Sequence, residues 1–281
     1  MSETLSVREA LAKGRDLLSD GGVEDPARDA LLLLGSVTQA DPYRLWVDGG
    51  WLSEPRLSHF WGVLEERAHR IPLQYLTGTQ EFMSLAFRVD QRVLIPRPET
   101  EILVEEALRL AQFREGPVVV DVGTGSGAIA VSVAYYCPCA RVYATDISLG
   151  ALDVARNNAK AHGIDIVFLQ GDLLAPVVLK ADLILANLPY VATGDLEGIQ
   201  PEVQYEPRLA LDGGPDGLDL VRRLLDQAPG KIKTGGYLIL EVAPGEAALA
   251  QDYLESTGEF QGVRVVNDYS HRPRVLVARR D

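Results

Sequence analysis

The chain has 281 residues, of which 47% are hydrophobic and 24% charged, as is typical of a globular protein with one large domain or one medium and one small domain. Its 27 basic and 40 acidic residues give a net charge of −13, which opposes direct binding of nucleic acid because such binding requires a cationic surface. No apolar run reaches the roughly 18 residues that a membrane span needs. Residues 1–9 are acidic and lack an apolar leader, so we expect a cytoplasmic protein without a membrane partner.

Residues 1–75 are predicted to form a small helical bundle that is a domain of its own. Ser6 and Glu9 have the spacing of a capping box at the start of a helix. Asp25-Pro26 predicts the start of a second helix, because proline is tolerated at the first helical position. Ser53 is expected to cap a further helix, in which apolar residues recur at helical spacing.

Residues 76–95 are predicted to form an extended or hairpin connector, with Phe82 among their alternating apolar residues. The segment that follows, from Ile95 to Glu101, contains two prolines. Because proline restricts the residue before it to extended geometry, this segment could hold Arg97 in a fixed place. A solvated linker is the alternative. A helix is expected to follow, from about residue 100 to 112.

From residue 117 the pattern alternates between strands and helices. The predicted parallel strands are Val118–Val122, Arg141–Thr145, Ile166–Leu169, Leu183–Ala186 and Tyr237–Val242. Two further β runs, Val263–Val266 and Val275–Ala278, are close enough to pair antiparallel. Residues 96–281 are therefore predicted to form one α/β domain, with a doubly wound, mostly parallel sheet of seven strands and an antiparallel hairpin at its end.

Cys137 and Cys139 flank Pro138 near the predicted end of a helix. Cysteines this close rarely form an unstrained disulfide. The four histidines show no zinc-like spacing with them, so we expect two reduced thiols and no metal site.

A glycine-rich segment, Asp121-Val122-Gly123-Thr124-Gly125-Ser126-Gly127, lies between the first strand of this domain and its helix. Glycines there allow a tight turn and a close approach of the backbone to a ligand. The N-terminus of the following helix favours an anionic group. Because Gly123, Gly125 and Ala128 also fit the dinucleotide pattern G-x-G-x-x-G/A, the loop predicts a cofactor site without identifying the cofactor. A purely structural turn is the alternative.

Acidic residues follow the next two strands. Asp146, with Ile147 after it, ends the second strand, where its carboxylate can accept hydrogen bonds from both ribose hydroxyls. A helix N-cap is the structural alternative for Asp146. Asp172, with Leu173 after it, ends the third strand and is a candidate either for contact with an adenine amine or for a plain turn. These positions favour an adenosine-containing cofactor, either NAD or S-adenosylmethionine.

The fourth strand runs directly into Asn187-Leu188-Pro189-Tyr190, which is expected to face the cofactor because ligands bind beyond the carboxyl ends of such strands. An amide nitrogen is a poor nucleophile, because its lone pair is delocalised into the carbonyl. Two acceptors aimed at its N–H bonds would orient it and favour the charge that develops during methyl transfer. The side-chain oxygen of Asn187 and the carbonyl of Leu188 can be these acceptors. Pro189 restricts Leu188 to extended geometry, and the Tyr190 ring can pack on the planar amide.

The glycine loop and Asp146 resemble the first two motifs of class I methyltransferases, and residues 187–190 resemble the Asn-Pro-Pro-Tyr motif of amino-methyltransferases. Over nearly its whole length the chain is similar to the release-factor glutamine methyltransferases of the HemK/PrmC family. The segments that carry this resemblance are Gln74–Gly78, Glu81-Phe82, Leu94–Glu101, Glu202-Val203 and Glu206–Leu211, followed by Gly213 and Asp216-Gly217-Leu218.

The resemblance implies transfer of a methyl group from S-adenosylmethionine to N5 of the glutamine in the Gly-Gly-Gln motif of class I peptide-chain release factors, leaving S-adenosylhomocysteine. It implies that the helical domain helps to dock the release factor. The cofactor-binding residues that follow from it are Asp121, Gly123, Thr124, Gly125, Ser126, Gly127, Asp146, Ile147, Asp172, Leu173 and Asn187. The substrate-binding residues are Asn187, Leu188, Pro189, Tyr190, Arg97 and Phe82, of which residues 187–190 are catalytic.

Three positions depart from the family pattern. Leu188 stands where the family usually has proline, which should be tolerated because the expected role uses the backbone carbonyl. Leu173 stands at a position where an aromatic residue can stack on adenine in relatives. Ser270-His271 replaces a glycine-containing turn after Asp268, and no function is carried onto it.

Three other functions compete with this interpretation. A nucleic-acid amino-methyltransferase, acting on adenine N6 or guanine N2, would share the chemistry of residues 187–190, but the charge of −13 and the lack of a recognisable target-recognition domain oppose it. A nicotinamide-dependent oxidoreductase would use the glycine loop but leave residues 187–190 without a task. A non-catalytic binding module is opposed by the intact loop, Asp146 and Asn187.

Overall fold

The computed structural model describes residues 4–281, which divide into two compact units. The first unit contains the residues up to Thr79 together with Gln200–Tyr205, and the second contains Gln80–Ile199 and Glu206–Asp281. The expected division placed the first boundary at residue 75 and assigned every residue after 95 to a single domain. The sequence therefore did not indicate that residues 200–205 belong to the first unit.

The first unit is helical, as predicted. Its helices are α1 (Val7–Asp20), α2 (Pro26–Thr38), α3 (Pro42–Asp48), α4 (Glu54–Ala68) and α5 (Leu73–Thr77). The capping box is confirmed, since the Glu9 amide donates to the Ser6 hydroxyl at 3.3 Å and the Ser6 amide donates to the Glu9 carboxylate at 3.0 Å. Asp25 caps α2 through the Arg28 amide. Ser53 occupies the N-cap of α4, but its side chain makes no capping bond within the described chain.

A cluster of ion pairs joins residues 200–205 to the helices of this unit. Glu202 accepts hydrogen bonds from Arg67 at 2.9 Å and from Arg70 at 2.7 Å on each carboxylate oxygen. Arg67 also donates to the buried Asp29 at 2.8 Å. Burial raises the pKa of Glu202, but the hydrogen bonds from Arg70 and Arg67 outweigh it and bring that pKa to about 2.

We expect Glu202→Gln to lower the free energy of unfolding at neutral pH by roughly 1–3 kcal/mol, because two guanidinium groups lose their shared carboxylate. The pKa of Glu202 is lower in the folded state than its ordinary value of 4.5. The advantage of the unmodified protein is therefore present above pH 4.5 and is lost as the pH falls towards 2. Urea unfolding at pH 7 and pH 3 measures the difference in the free energy of unfolding between the two proteins. Tryptophan fluorescence is the signal, since all three tryptophans lie in the first unit.

Asp16→Asn is the control for this prediction. It removes an exposed pair with Arg15 and should change the free energy of unfolding by less than about 1 kcal/mol. A difference between Glu202→Gln and the unmodified protein that is equally large at both pH values would contradict the assigned pKa.

The second unit is built on a seven-stranded sheet with the order β5-β4-β3-β6-β7-β9-β8. These strands are β3 (Val118–Val122), β4 (Arg141–Asp146), β5 (Val167–Gln170), β6 (Ala181–Ala186), β7 (Ile232–Glu241), β8 (Phe260–Asn267) and β9 (Pro273–Arg280). Strands β3 to β7 are parallel to one another, whereas β9 pairs antiparallel with both β7 and β8. The predicted doubly wound sheet with an antiparallel hairpin is thus confirmed. A separate two-stranded sheet is formed by β1 (Thr79–Phe82) and β2 (Leu85–Arg88).

Helices cover both faces of the large sheet. They are α6 (Glu101–Ala111), α7 (Ala128–Tyr136), α8 (Leu149–Ala161), α9 (Asp219–Lys231) and α10 (Ala247–Ser256). Alternate residues of β3 belong to opposite hydrophobic clusters, Val119 with α6 and α7, and Val120 with α9 and α10. This explains why the central strands are continuous apolar runs. Within residues 4–281, no helix is long and apolar enough to cross a membrane.

The two cysteines lie at the end of α7. Cys137 is the C-cap of that helix, and its sulfur is 3.5 Å from the sulfur of Cys139. Both cysteines are free in the structure.

Candidate active site

A cleft opens at the carboxyl edge of the parallel strands. Val122 lies opposite both Thr145 and Ala186 in the sheet, so the segments after β3, β4 and β6 emerge side by side. The predicted site residues that line this cleft are Gly123, Gly125, Asp146, Ile147, Asp172, Leu173, Asn187, Leu188 and Pro189.

A second, smaller cleft adjoins the first and shares Gly123, Gly125 and Asn187 with it. Among the predicted residues, it is also lined by Arg97, Thr124 and Ser126. Asn187 therefore stands at the junction of the two clefts.

Two predicted residues of the glycine loop lie behind this surface instead of lining it. Asp121 is fully buried, and one of its carboxyl oxygens accepts the Thr124 hydroxyl at 2.6 Å. Burial raises the pKa of Asp121 to about 7. Gly127 has φ +81°, and a Cβ there would lie 3.0 Å from that of Ala155, so glycine is required where α7 packs against α8. Both residues shape the loop from within.

The structure places Phe82 in the hydrophobic core and not in either cleft. Its side chain is 1% exposed, and its ring packs edge-on against Phe87 with centroids 6.1 Å apart. The expected contact of Phe82 with substrate is corrected on this ground, since the resemblance that implied it does not show how deeply a residue is buried.

The glycine loop is held by the strand beside it. The amides of Gly123 and Thr124 both donate to the carbonyl of Thr145 at 2.9 Å, and the amide of Gly125 donates to the Asp146 carboxylate at 2.9 Å. Nothing in the described chain lies within 4 Å of a Cβ built on Gly125, so the loop faces open space at this point. The loop thus presents bare backbone to the cleft.

Asp146 does not cap α8. Its second oxygen accepts the Ser148 amide at 2.9 Å, and it is Ser148 that caps the helix through the Ala151 amide at 3.2 Å. Burial raises the pKa of Asp146, while the amides of Ser148 and Gly125 oppose that rise. The carboxylate therefore holds the loop and lines the cleft at once, which favours the binding role over the structural alternative.

Sequence reasoning missed Asn158, a buried residue of α8. Its side-chain amide donates to the Ser126 carbonyl at 2.9 Å and to the Arg88 carbonyl at 3.0 Å, and its oxygen accepts the Arg88 amide at 2.8 Å. It ties the glycine loop to β2. An asparagine inside an otherwise apolar helix face was the available signal.

The far end of the cleft contains a charged pair. The Arg223 guanidinium donates to the Asp172 carboxylate, and both residues line the cleft. Leu173, next to Asp172, has a left-handed backbone with φ 48° and an almost buried side chain. Arg223 was also missed, because it lies 51 residues further along the chain, on α9.

The backbone of residues 187–190 is fixed by a loop that follows Leu211. The Val191 amide donates to the Leu211 carbonyl at 3.0 Å, and the Gly213 amide donates to the Val191 carbonyl at 2.9 Å. A Cβ on Gly213 would lie 2.7 Å from the Pro189 carbonyl oxygen, so only glycine permits this close approach. The motif is thereby held beside the cleft.

Tyr190 lines neither cleft but stands behind residues 187–189. Burial raises the pKa of its phenol to about 12, and the nearby Glu241 carboxyl adds to the rise. Arg97, on the second cleft, donates to the buried Glu206, whose carboxylate also accepts the Ile95 amide at 3.0 Å. The Arg97 side chain is thus held by an ion pair in addition to the flanking prolines.

These residues fit an adenosine-containing cofactor. One cleft is lined by the bare backbone of Gly123 and Gly125, by the carboxylates of Asp146 and Asp172 and by Asn187. S-adenosylmethionine would be held by these residues and would supply the methyl group.

Named families match two parts of the chain. Residues 9–78 match the PrmC N-terminal domain, and residues 99–200 match the methyltransferase small domain. The chain is 45% identical over 280 residues to the release factor glutamine methyltransferase of Moorella thermoacetica, which covers 98% of this chain and 99% of that protein. It is 41% identical over 259 residues to the release factor glutamine methyltransferase of Geobacter sulfurreducens, covering 91% of this chain and 90% of the relative.

Solved structures share the fold of about 70% of this chain. A methyltransferase from Pyrococcus furiosus superposes with a TM-score of 0.53 at 17% identity, over 69% of this chain and 88% of that one. The 16S rRNA N2 G1207 methyltransferase of T. thermophilus, solved with AdoMet and guanosine, gives 0.54 at 19% identity, over 72% and 50%. At these identities the likeness concerns the fold alone.

The sheet order, the glycine loop and the cleft at the carboxyl edge define an S-adenosylmethionine-dependent methyltransferase of class I. Within that class the identity to named relatives extends over nearly the full chain. The protein belongs to the release factor glutamine methyltransferase family.

We expect Asp146→Ala to weaken binding of S-adenosylmethionine by about 10- to 100-fold, because the ribose loses its acceptor and the Gly125 amide loses its anchor. Isothermal titration calorimetry measures the dissociation constant. Asp153→Ala removes an exposed carboxylate of α8 and serves as the control. Binding by Asp146→Ala within about threefold of the control would remove Asp146 from the cofactor site.

Proposed function

We propose that this protein transfers a methyl group from S-adenosylmethionine to N5 of the glutamine in the Gly-Gly-Gln motif of class I peptide-chain release factors. The observation that carries the proposal is the position and hydrogen bonding of Asn187. Its side chain stands where the two clefts meet, and its Nδ2 donates to the Thr100 hydroxyl at 3.1 Å. This bond leaves Oδ1 as the group offered to a substrate.

The chemistry of the site suits a carboxamide. When bound, S-adenosylmethionine supplies a methyl group on a sulfonium; a nitrogen–carbon bond forms as the sulfur–carbon bond breaks, and the electron pair stays on sulfur. The substrate nitrogen carries two N–H donors, which Asn187 Oδ1 and the Leu188 carbonyl can accept. Acceptors placed there orient the nitrogen and stabilise the positive charge that develops on it. The surplus proton of the methylated amide is released to water.

The relatives support the choice of substrate, because they carry the name release factor glutamine methyltransferase and align over nearly the whole chain. The proposal includes docking of the release factor by the helical unit, a cytoplasmic location and no direct contact with nucleic acid. The net charge of −13 supports the last point, since a surface of this sign repels phosphates.

Incubation with methyl-labelled S-adenosylmethionine and an unmethylated release factor should label the release factor and not a variant whose Gly-Gly-Gln glutamine is replaced by alanine. The amide nitrogen of that glutamine is the only acceptor that the variant lacks. Scintillation counting of the separated protein and mass spectrometry of the tryptic peptide measure the transfer. Equal labelling of both release factors, or label in added ribosomal RNA instead, would overturn the proposal in favour of another acceptor.

Asn187→Ala is expected to reduce methyl transfer by at least about 100-fold, because one of two acceptors for the developing charge is lost. The dissociation constant for S-adenosylmethionine should change little, since Gly125 and Asp146 are untouched. Single-turnover transfer and calorimetry measure the two effects. Asn157→Ala, on the exposed face of α8, is the matched control. Full activity of Asn187→Ala would exclude Asn187 from the mechanism.

A further inference from the structure

The amide of Asn187 has two orientations with opposite chemistry. With Oδ1 towards the cleft it accepts a hydrogen bond from a substrate N–H, and with Nδ2 towards the cleft it opposes that N–H with donors of its own. The two orientations have nearly the same shape, so packing does not distinguish them. The orientation must be set by hydrogen-bond partners of Asn187 other than the substrate.

Thr100 is such a partner. It ends the short turn Pro98–Thr100 before α6, it is 4% exposed, and its hydroxyl oxygen accepts Asn187 Nδ2 at 3.1 Å. A hydroxyl has two lone pairs and one hydrogen that can rotate. Thr100 alone could therefore accept from Nδ2 or donate to Oδ1, and would stabilise either orientation of Asn187.

Glu241 removes this ambiguity. Ala186 lies opposite Leu240 in the sheet, so the next residues, Asn187 and Glu241, emerge side by side from β6 and β7. The Glu241 side chain is almost fully buried, and hydrogen bonding from the Thr100 hydroxyl opposes the rise that burial causes in the pKa of its carboxyl. An ionised carboxylate only accepts hydrogen bonds. The hydrogen of Thr100 must then point to Glu241, which leaves its lone pairs for Asn187 Nδ2.

We propose that Thr100 and Glu241 are positioning residues: Glu241 takes the hydrogen of the Thr100 hydroxyl, Thr100 accepts Asn187 Nδ2, and Asn187 Oδ1 is held towards the amide of the substrate. This inference rests on the proposed function and extends it to two residues that do not touch the reacting atoms.

The burial of Glu241 is difficult to explain by stability alone. Its Oε2 has no hydrogen-bond partner among the described residues, and burial raises the pKa of this carboxyl to about 7. A buried charged group with an unsatisfied oxygen destabilises the fold relative to an apolar residue of the same size. Orientation of the Thr100 hydroxyl explains why a polar side chain stands at the end of β7.

The first test replaces Thr100. Thr100→Val keeps the shape and deletes the hydroxyl, so Asn187 should turn freely and kcat for methyl transfer to the release factor should fall by about 10- to 100-fold. KM for the release factor and the dissociation constant for S-adenosylmethionine should stay within about threefold, because the lost interaction acts on the transition state. Thr100→Ser restores the hydroxyl and should recover most of kcat.

Ser132→Ala is the control for these variants. It deletes another buried hydroxyl of the same unit, on α7, whose oxygen has no partner among residues 4–281. Thermal unfolding of all variants monitors the fold. If Thr100→Val keeps the kcat of Ser132→Ala, or if Thr100→Ser is as slow as Thr100→Val, the positioning role of Thr100 is wrong.

The second test uses Glu241→Gln and pH. A glutamine can offer either its oxygen or its NH2 group to Thr100, and so can a protonated Glu241. With a pKa of about 7 for Glu241, the ratio of kcat for the unmodified protein to kcat for Glu241→Gln should be near one at about pH 6 and rise severalfold by about pH 8. A ratio that does not change with pH would exclude Glu241 from the relay.

The pH dependence of this kcat ratio reports on Glu241, because the charged and titratable groups that face Glu241 are the same in both proteins. These groups are Arg274 on β9, Arg97 and Glu99 before α6, and Tyr190 after β6.

Failure of the inference is also distinct from failure of the proposed function. If the unmodified protein does not label the release-factor glutamine, the proposed function fails, whereas full activity of Thr100→Val and Glu241→Gln refutes the inference alone.

Discussion

The site depends on one constraint, the register in which parallel strands end at the same edge of the sheet. Val122, Ala186 and Leu240 are neighbours across β3, β6 and β7. Each strand stops within a residue or two of that row, and a polar or flexible segment follows. Because the side chains of paired residues point the same way, Asn187 and Glu241 share one side of the edge without any loop having to bring them together. A shift of one residue between β6 and β7 would turn one of the two to the opposite face.

Polar groups near the same edge of the sheet are buried, so water does not solvate them. The carboxyls of Asp121 and Glu241 are both buried, and burial raises each pKa to about 7. Each carboxyl has one oxygen without a partner in the part of the chain that the structure describes, and hydrogen bonding from a threonine hydroxyl opposes the rise in each pKa. The hydroxyl partners, Thr124 and Thr100, both line the smaller cleft. Two buried acids thus hold two hydroxyls at the surface that surrounds the cofactor loop and Asn187.

The architecture could be predicted because a strand that is buried on both faces of a sheet has a continuous run of apolar residues. Val118–Val122 has the predicted bounds, since the strand is apolar throughout. The start of β7 was missed by five residues, because Lys233 to Gly236 interrupt the apolar run. Helices α3 and α5 were missed for a related reason: seven and five residues are too few to show a period of 3.6.

The candidate site could be predicted from the sequence only where its residues are adjacent in the chain. The glycine loop and residues 187–190 are contiguous, and their placement after strands located them at the sheet edge. Thr100 and Asn187 are 87 residues apart, and nothing in the spacing of the chain pairs them. Phe82 shows the reverse error, since a resemblance assigns residues to a site without showing how deeply each is buried.

Leu188 shows how a departure from the family pattern is accommodated. Its side chain is 3% exposed, and its Cδ2 would lie 3.1 Å from a Cβ on residue 123, which has φ +72°. Leucine at 188 therefore packs against the bare backbone of Gly123, the first glycine of the cofactor loop. The rigidity that a second proline would supply through its ring is supplied here by packing, because a buried leucine fixes its backbone through its contacts. The carbonyl of Leu188 is consequently coupled to the glycine loop, so that the proposed acceptor for the substrate and the backbone of the proposed cofactor site are positioned by a single contact.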